Sequence, residues 1–265
     1  MNILFEKYHG SGNDFIMIDA RDRPFSGSPD IIADLCDRHS GIGADGLILL
    51  KEEGGFDFSM QYFNADGHEA GMCGNGGRCI SAYAHKLGLF KKKTRFLASD
   101  GEHRAIILSE NGNETKVKLK MKAVTADDWD DNSIFLDTGS PHYVLNKKNI
   151  AETDVVREGK RLRNDNRFAA FGGTNVDFIE EIGGILNIRT YERGVEAETL
   201  SCGTGVTAAA LAWSLKQDVQ SPVQVNTPGG ELKVYFEKNK NYFDNIWLEG
   251  PACFVFRGEI EIKST

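Results

Sequence analysis

The sequence predicts an α+β fold made of two related halves. Three observations carry this. Many segments alternate apolar and polar residues with period two, which marks half-buried strands. Few segments have helical spacing, and they do not alternate regularly with the strands as a parallel βαβ sheet requires. A short cysteine-glycine motif followed by a helix occurs twice, about half a chain apart.

Each element has its own signal. Phe56, Phe58, Met60 and Tyr62 alternate with Asp57, Ser59 and Gln61. Val117, Leu119 and Met121 alternate with Lys116, Lys118 and Lys120, and Leu232, Val234 and Phe236 repeat the pattern less cleanly. Turn clusters separate the strands, as at Asn111-Gly112-Asn113 and Thr227-Pro228-Gly229-Gly230. Ile80, Tyr83, Ala84 and Leu87 stand at i, i+3, i+4 and i+7, with Gly88 placed to stop the helix. Val206, Ala209, Ala210 and Trp213 repeat that spacing in a stretch apolar nearly all round, which predicts an enclosed helix. Further helices are expected over residues 28–38 and 149–164.

The repeat is detailed. Cys73-Gly74-Asn75-Gly76 precedes the first strong helix and Cys202-Gly203-Thr204-Gly205 the second, 129 positions on (202 − 73). Each cysteine follows a glutamate by four residues, Glu69 and Glu198. Each unit begins with a strand, near residues 60–63 and 188–191, then a polar turn: Asn64-Ala65-Asp66-Gly67 and Glu192-Arg193-Gly194. A fainter echo pairs Gly12-Asn13-Asp14-Phe15-Ile16 with Thr174-Asn175-Val176-Asp177-Phe178-Ile179. The expected linker is residues 120–131, where alternation gives way to an acidic stretch.

Composition narrows the function. The chain has 265 residues, 40% apolar and 26% charged, with net charge −8. Its one basic block is Lys91-Lys92-Lys93, so nucleic acid is not an expected partner. No apolar run reaches the roughly 18 residues of a membrane helix, and the start lacks a secretory pattern. The five cysteines follow no disulfide framework. Together these predict a cytoplasmic protein with thiols rather than disulfides. Cys36-x-x-His39 has half the spacing of a zinc site without a second pair, so no metal is expected. Cys79 and Cys253 are read as packing residues.

A helix start carries unpaired N–H groups and about half a positive charge. A cysteine there is expected to have a lowered thiol pKa. The glycines after it let the backbone approach an anion closely. Two such cysteines suit inversion of a stereocentre: one thiolate removes a proton from one face while one thiol supplies a proton to the other. The helix starts would hold a carboxylate and the charge that develops on it.

Tyr8-His9-Gly10-Ser11-Gly12-Asn13-Asp14-Phe15, Gly41-Ile42-Gly43-Ala44-Asp45-Gly46, Phe63-Asn64-Ala65-Asp66-Gly67, Cys73-Gly74-Asn75-Gly76-Gly77-Arg78-Cys79, Tyr191-Glu192-Arg193-Gly194 and Cys202-Gly203-Thr204-Gly205 resemble the diaminopimelate epimerase family, in the family's order and over nearly the whole chain. The resemblance implies two pseudo-symmetric barrel-like lobes, each wrapped around a central helix, with the active site in a cleft between them. The lobes would be residues 1–120 with 253–265, carrying Cys73, and residues 121–252, carrying Cys202. It implies Cys202 as the base toward the LL-isomer and Cys73 as the acid, with roles reversed in the other direction. Glu192 and His142 would flank and tune the thiols. Asn13, Asn64, Asn175, Glu192 and Arg193 would bind the substrate, an amino acid. Gly74, Asn75, Gly203 and Thr204 would cradle its reacting carboxylate. It also implies a homodimer, no cofactor, and a place in lysine and cell-wall precursor synthesis. Ser140-Pro141-His142 departs from the Asn-Pro-His of many members, and Gly46 replaces a glutamine that some use.

The same residues separate other readings. A proline or hydroxyproline racemase also needs two thiols, but Asn64, Asn175 and Arg193 suit a second amino-acid head. A phenazine-type isomerase lacks the cysteine pair. A non-catalytic binder would not need it.

Overall fold

The computed structural model describes residues 2–25, 27–126, 128–130 and 132–262, and the chain divides into two compact units. The first holds residues 1–119 and 250–265, the second residues 120–249.

In the first unit the order is β1 (Asn2–Gly10), β2 (Asn13–Asp19), α1 (Pro29–Cys36), β3 (Gly46–Lys51), β4 (Phe58–Asn64), β5 (Glu69–Ala70), α2 (Gly74–Lys86), β6 (Lys93–Ala98), β7 (Gly101–Asn111) and β8 (Glu114–Lys120). In the second it is β9 (Val124–Thr125), β10 (Asp128–Trp129), β11 (Ser133–Asp137), β12 (Pro141–Asn146), α3 (Val155–Arg163), β13 (Asn175–Ile182), β14 (Ile185–Glu192), β15 (Ala197–Thr199), α4 (Gly203–Gln217), β16 (Val223–Thr227), β17 (Gly230–Asn239) and β18 (Tyr242–Glu261). The last strand is shared: residues from 250 onward belong to the first unit.

The ladders of the first unit form a ring. β1 pairs with β2 antiparallel, β2 with β3 parallel, β3 with β4 antiparallel and β4 with β6 parallel. Then β6–β7, β7–β8, β8–β18 and β18–β1 are all antiparallel, which closes a barrel and leaves none of its strands an edge. Helix α2 packs against β1, β2, β3, β4 and β7, and every residue from Gly74 to Ala84 is buried. A helix enclosed on all sides must be small where strands press on it. A Cβ on Gly76 would come within 2.9 Å of Ile48 Cδ1, and one on Gly77 within 3.0 Å of Leu119 Cδ2.

The second unit repeats the same directions. β11–β12 is antiparallel, β12–β13 parallel, β13–β14 antiparallel, β14–β16 parallel, and β16–β17, β17–β18 and β18–β9 antiparallel. β15 hairpins onto β14 as β5 does onto β4, and α4 follows β15 as α2 follows β5. Helix α4 packs against β11, β12, β13, β14, β16 and β17 and is apolar all round, as its sequence predicts. The fold is α+β, with barrel-like sheets wrapped on central helices.

Two expectations change and a third gains detail. The fainter echo is out of step with the topology: β2 corresponds to β12 and β3 to β13, so Asn13 and Asn175 open different strands of the repeat. The expected linker begins where the two units divide and holds the short strands β9 and β10, with Ala126 fully buried; Asp127 and Asp131 lie outside the described residues. The helix expected over 149–164 is a 3-10 turn (Ile150–Glu152) followed by α3, which restarts because the Asp154 side chain accepts Arg157 N–H at 3.1 Å as an N-cap.

Candidate active site

Cys73 and Cys202 are both N-cap residues, of α2 and α4, and neither helix has an acidic residue in its first turn. The fold puts them there in the same way: strand, hairpin strand, cysteine, helix. Their surroundings differ.

In the first unit, β1 turns into β2 through Ser11 and Gly12, both at positive φ (53° and 87°), the geometry of a two-residue hairpin that keeps the strand twist. That turn presents Asn13 to the helix start. Cys73 Sγ lies 3.5 Å from Asn13 Oδ1, and Asn75 Nδ2 donates to the same oxygen at 3.4 Å. Asn64 closes β4 with an exposed side chain. Gly74 and Asn75 are buried in the first turn of α2. Arg78, fully buried, donates to Asn75 Oδ1 at 2.8 Å, and its burial lowers its own pKa while the nearby thiols of Cys79, Cys73 and Cys253 raise it.

In the second unit the parallel register of β12 and β13 sets His142 beside Asn175, with Asp177 two residues further along. His142 and Asp177 are wholly buried, and Nδ1 lies 2.7 Å from Asp177 Oδ2. Thr190 Oγ1 donates to the other carboxylate oxygen at 2.7 Å. A carboxylate facing Nδ1 assigns the proton there, which makes Nε2 the acceptor in the neutral ring. Nε2 lies 2.9 Å from Thr204 Oγ1 and 3.0 Å from Ser140 Oγ. Thr204 Oγ1 is in turn 3.3 Å from Cys202 Sγ. A hydrogen-bonded chain therefore runs Cys202, Thr204, His142, Asp177. Ser140 joins it directly.

Burial pushes the Cys202 thiol well above its ordinary pKa, and the charges of Glu192 and Asp177 push it further. Hydrogen bonds from Thr204 and Gly205 pull the other way without prevailing. The direction is opposite to the lowering expected at a helix start, because burial disfavours the thiolate. Gly205 is required here, since a Cβ would sit 2.7 Å from Asp177 Oδ1 and 3.1 Å from His142 Cε1.

Glu192 ends β14 and accepts from Thr199 Oγ1 at 2.8 Å. Arg193 directs Nη1 at the carbonyls of Phe171 (2.7 Å) and Gly173 (3.4 Å), and its backbone N–H donates to Asn175 Oδ1 at 2.8 Å. Asn175 Nδ2 donates to Pro141 O at 2.8 Å and Ser140 Oγ at 3.2 Å, so this buried amide braces β12 to β14. Gly203 opens α4. Glu198 forms a two-bond pair with Arg189, which also ties down the carbonyls of Ile150 and Thr153; Glu69 accepts from Gln61. Cys36 is packed in a core cluster with its pKa pushed up to about 11 by burial, while His39 is exposed. Burial also raises the thiol pKa of Cys79 and Cys253.

The sequence motifs do not single out Asp177 or Asp45 as site residues. The signals for Asp177 are faint: it interrupts the apolar run of β13 and stands within the echo of Asn13-Asp14-Phe15-Ile16.

Solved structures share this architecture. A phenazine biosynthesis protein of the PhzF family from Bacillus anthracis superposes with a TM-score of 0.78 at 15% identity, covering 99% of this chain and 100% of that one. A hydroxyproline epimerase from Agrobacterium vitis gives 0.73 at 13% identity, covering 98% and 92%. At such identities the likeness defines the fold class alone. The sequence goes further: a family model described as diaminopimelate epimerase matches residues 5–126 and 134–255. The diaminopimelate epimerase of Flavobacterium psychrophilum is 47% identical over 257 residues, 96% of this chain and 98% of that protein. That of Chlorobaculum tepidum is 42% identical, covering 96% and 99%. The chain belongs to the diaminopimelate epimerase family.

Proposed function

We propose that this chain interconverts LL- and meso-diaminopimelate, with Cys73 and Cys202 as the acid–base pair. The observation that carries this is a cysteine at the N-cap of each central helix in a member of that family. One thiolate takes the α-proton, the electron pair moves into the carboxylate as an enediolate, and the other thiol returns a proton to the opposite face. Protons and electrons balance without another reactant.

Burial holds Cys202 as the thiol, so its proton must leave before it can act as the base. A thiol whose pKa is raised becomes, once ionised, a stronger base, which suits Cys202 to a weakly acidic α-proton. The chain through Thr204 to His142 gives the Cys202 proton somewhere to go. The first-turn N–H groups of α2 and α4, around Gly74, Asn75, Gly203 and Thr204, suit the substrate carboxylate and its developing charge. Asn13, Asn64, Asn175, Glu192 and Arg193 are assigned to substrate, with Arg193 a pre-oriented donor for a carboxylate. The amino-acid substrate and a cytoplasmic homodimer belong to the same reading; among the described residues no helix is long and apolar enough to cross a membrane.

The test is chiral separation after incubation with LL-diaminopimelate, lysine or proline. Formation of the meso isomer is expected from the first alone. Cys73→Ala and Cys202→Ala should each slow it by about 10²–10⁴-fold or more, the usual worth of a positioned acid or base. Equal turnover of proline, or an alanine variant at wild-type rate, would overturn the assignment.

A further inference from the structure

The helix start of the first unit is wired by two charges that the proposed chemistry does not use. Asn13 Nδ2 donates to Asp45 Oδ2 at 2.8 Å. The same oxygen accepts Asp14 N–H at 3.2 Å, and Asp45 Oδ1 accepts Arg38 Nη2 at 2.7 Å. A carboxylate paired with a guanidinium offers only lone pairs, so the end of the Asn13 amide facing it is the NH₂. Its oxygen therefore points away, toward Asn75 Nδ2 and Cys73 Sγ. Asn75 is fixed from its other end. Its oxygen accepts from Arg78, a donor-only group, so it too must show its NH₂ to Asn13. Asp45 and Arg78 set two amide orientations, and both put an oxygen acceptor against the Cys73 sulfur. An acceptor there favours S–H over the thiolate.

We propose that Asp45 is a positioning residue that, acting through Asn13, holds Cys73 in its proton-bearing form. This rests on Cys73 being one of the acid–base pair. It assigns Cys73 as the resting acid from its own surroundings. Parallel pairing of β2 with β3, Phe15 beside Gly46, brings Asp45 to the start of β2. Other charged or titratable groups at this end of the unit include Lys7 and His9 on β1, Asp14 on β2, Arg38 before β3, Asp100 before β7, Arg78 and Cys79 on α2, and Cys253 on β18. Arg78 favours the thiolate, so the Asn13 contact acts against it.

The experiment follows alkylation of Cys73 by iodoacetamide across pH in the full-length protein, read at the Cys73 peptide by mass spectrometry. Asp45→Asn keeps the shape but can offer either end of an amide, so only the Asn75 NH₂ still holds the Asn13 oxygen toward the sulfur. Weakening that acceptor should raise Cys73 alkylation at neutral pH by about tenfold, one pKa unit, with equal rates at high pH where Cys73 is ionised in both proteins. Asp45→Glu should stay near wild type. In an Asn13→Ala background, Asp45→Asn should change the rate less than about twofold. An equal change with and without Asn13 would mean simple loss of charge, and a faster rate at every pH would mean loosening; either overturns the proposal, as does no change. None of these readouts needs turnover, so the result stands apart from the substrate assignment.

Discussion

A buried imidazole needs its proton assigned to one nitrogen, and in this fold Asp177 does so for His142. The two side chains are 35 positions apart and meet through the parallel β12–β13 register. Asp177→Asn would let an NH₂ face Nδ1, move the ring proton to Nε2, and leave Thr204 without its acceptor. Turnover should fall by roughly 10²- to 10⁴-fold, as expected when a catalytic histidine is held in the wrong tautomer. Steady-state kinetics on LL-diaminopimelate would check this, with circular dichroism to confirm the fold; a rate within threefold of wild type would separate the histidine from catalysis. His142, Cys202 and Thr204 are legible in the sequence because they lie in family-like motifs. Asp177 is not, because a lone acid in an apolar strand carries only a weak local pattern.

Glycines and ion pairs at the helix starts decide how these elements meet. Gly205→Ala should destabilise the protein by about 1–3 kcal/mol, since its Cβ would overlap Asp177 and His142 in a packed interior. Urea unfolding measures it, and a neutral result would mean the helix start shifts freely. At the other helix, Asp14 bonds Lys7 at 2.9 Å and Arg38 at 2.8 Å. Burial opposes its charge, but the hydrogen bonds and charges of Arg38 and Lys7 hold its carboxyl below the usual range. Because the folded value lies below the unfolded one, its contribution is complete above the unfolded pKa, about 3.9, and is lost as pH falls below it. Thermal melts from pH 5 downward should therefore show a shallower acid loss for Asp14→Asn than for wild type; parallel curves would remove Asp14 from the acid response. The two central helices were legible from their spacing, and enclosure of the second from its lack of a polar face. The break before α3 was not, because a cap at Asp154 restarts the helix within a continuous pattern. Strand order was not legible either, because the parallel pairs β2–β3, β4–β6, β12–β13 and β14–β16 join segments far apart in sequence.

Across the whole chain, the two units run through the same sequence of ladder directions and each delivers a cysteine to the same place on its central helix. The placement is the same while the surroundings differ: an asparagine oxygen faces Cys73, and a threonine–histidine–aspartate chain meets Cys202. Different surroundings for two like groups are what separate acid and base roles require. The isotope content of both isomers at low conversion in deuterated water tests those roles most directly. With two thiols, the proton removed stays on one sulfur while the proton delivered comes from the other, already exchanged with solvent. Mass spectrometry after chiral separation should find deuterium at the inverted carbon of the product and little in the remaining substrate. Product that largely keeps the substrate's own proton would contradict the account, because a single group would then be carrying that proton from one face to the other.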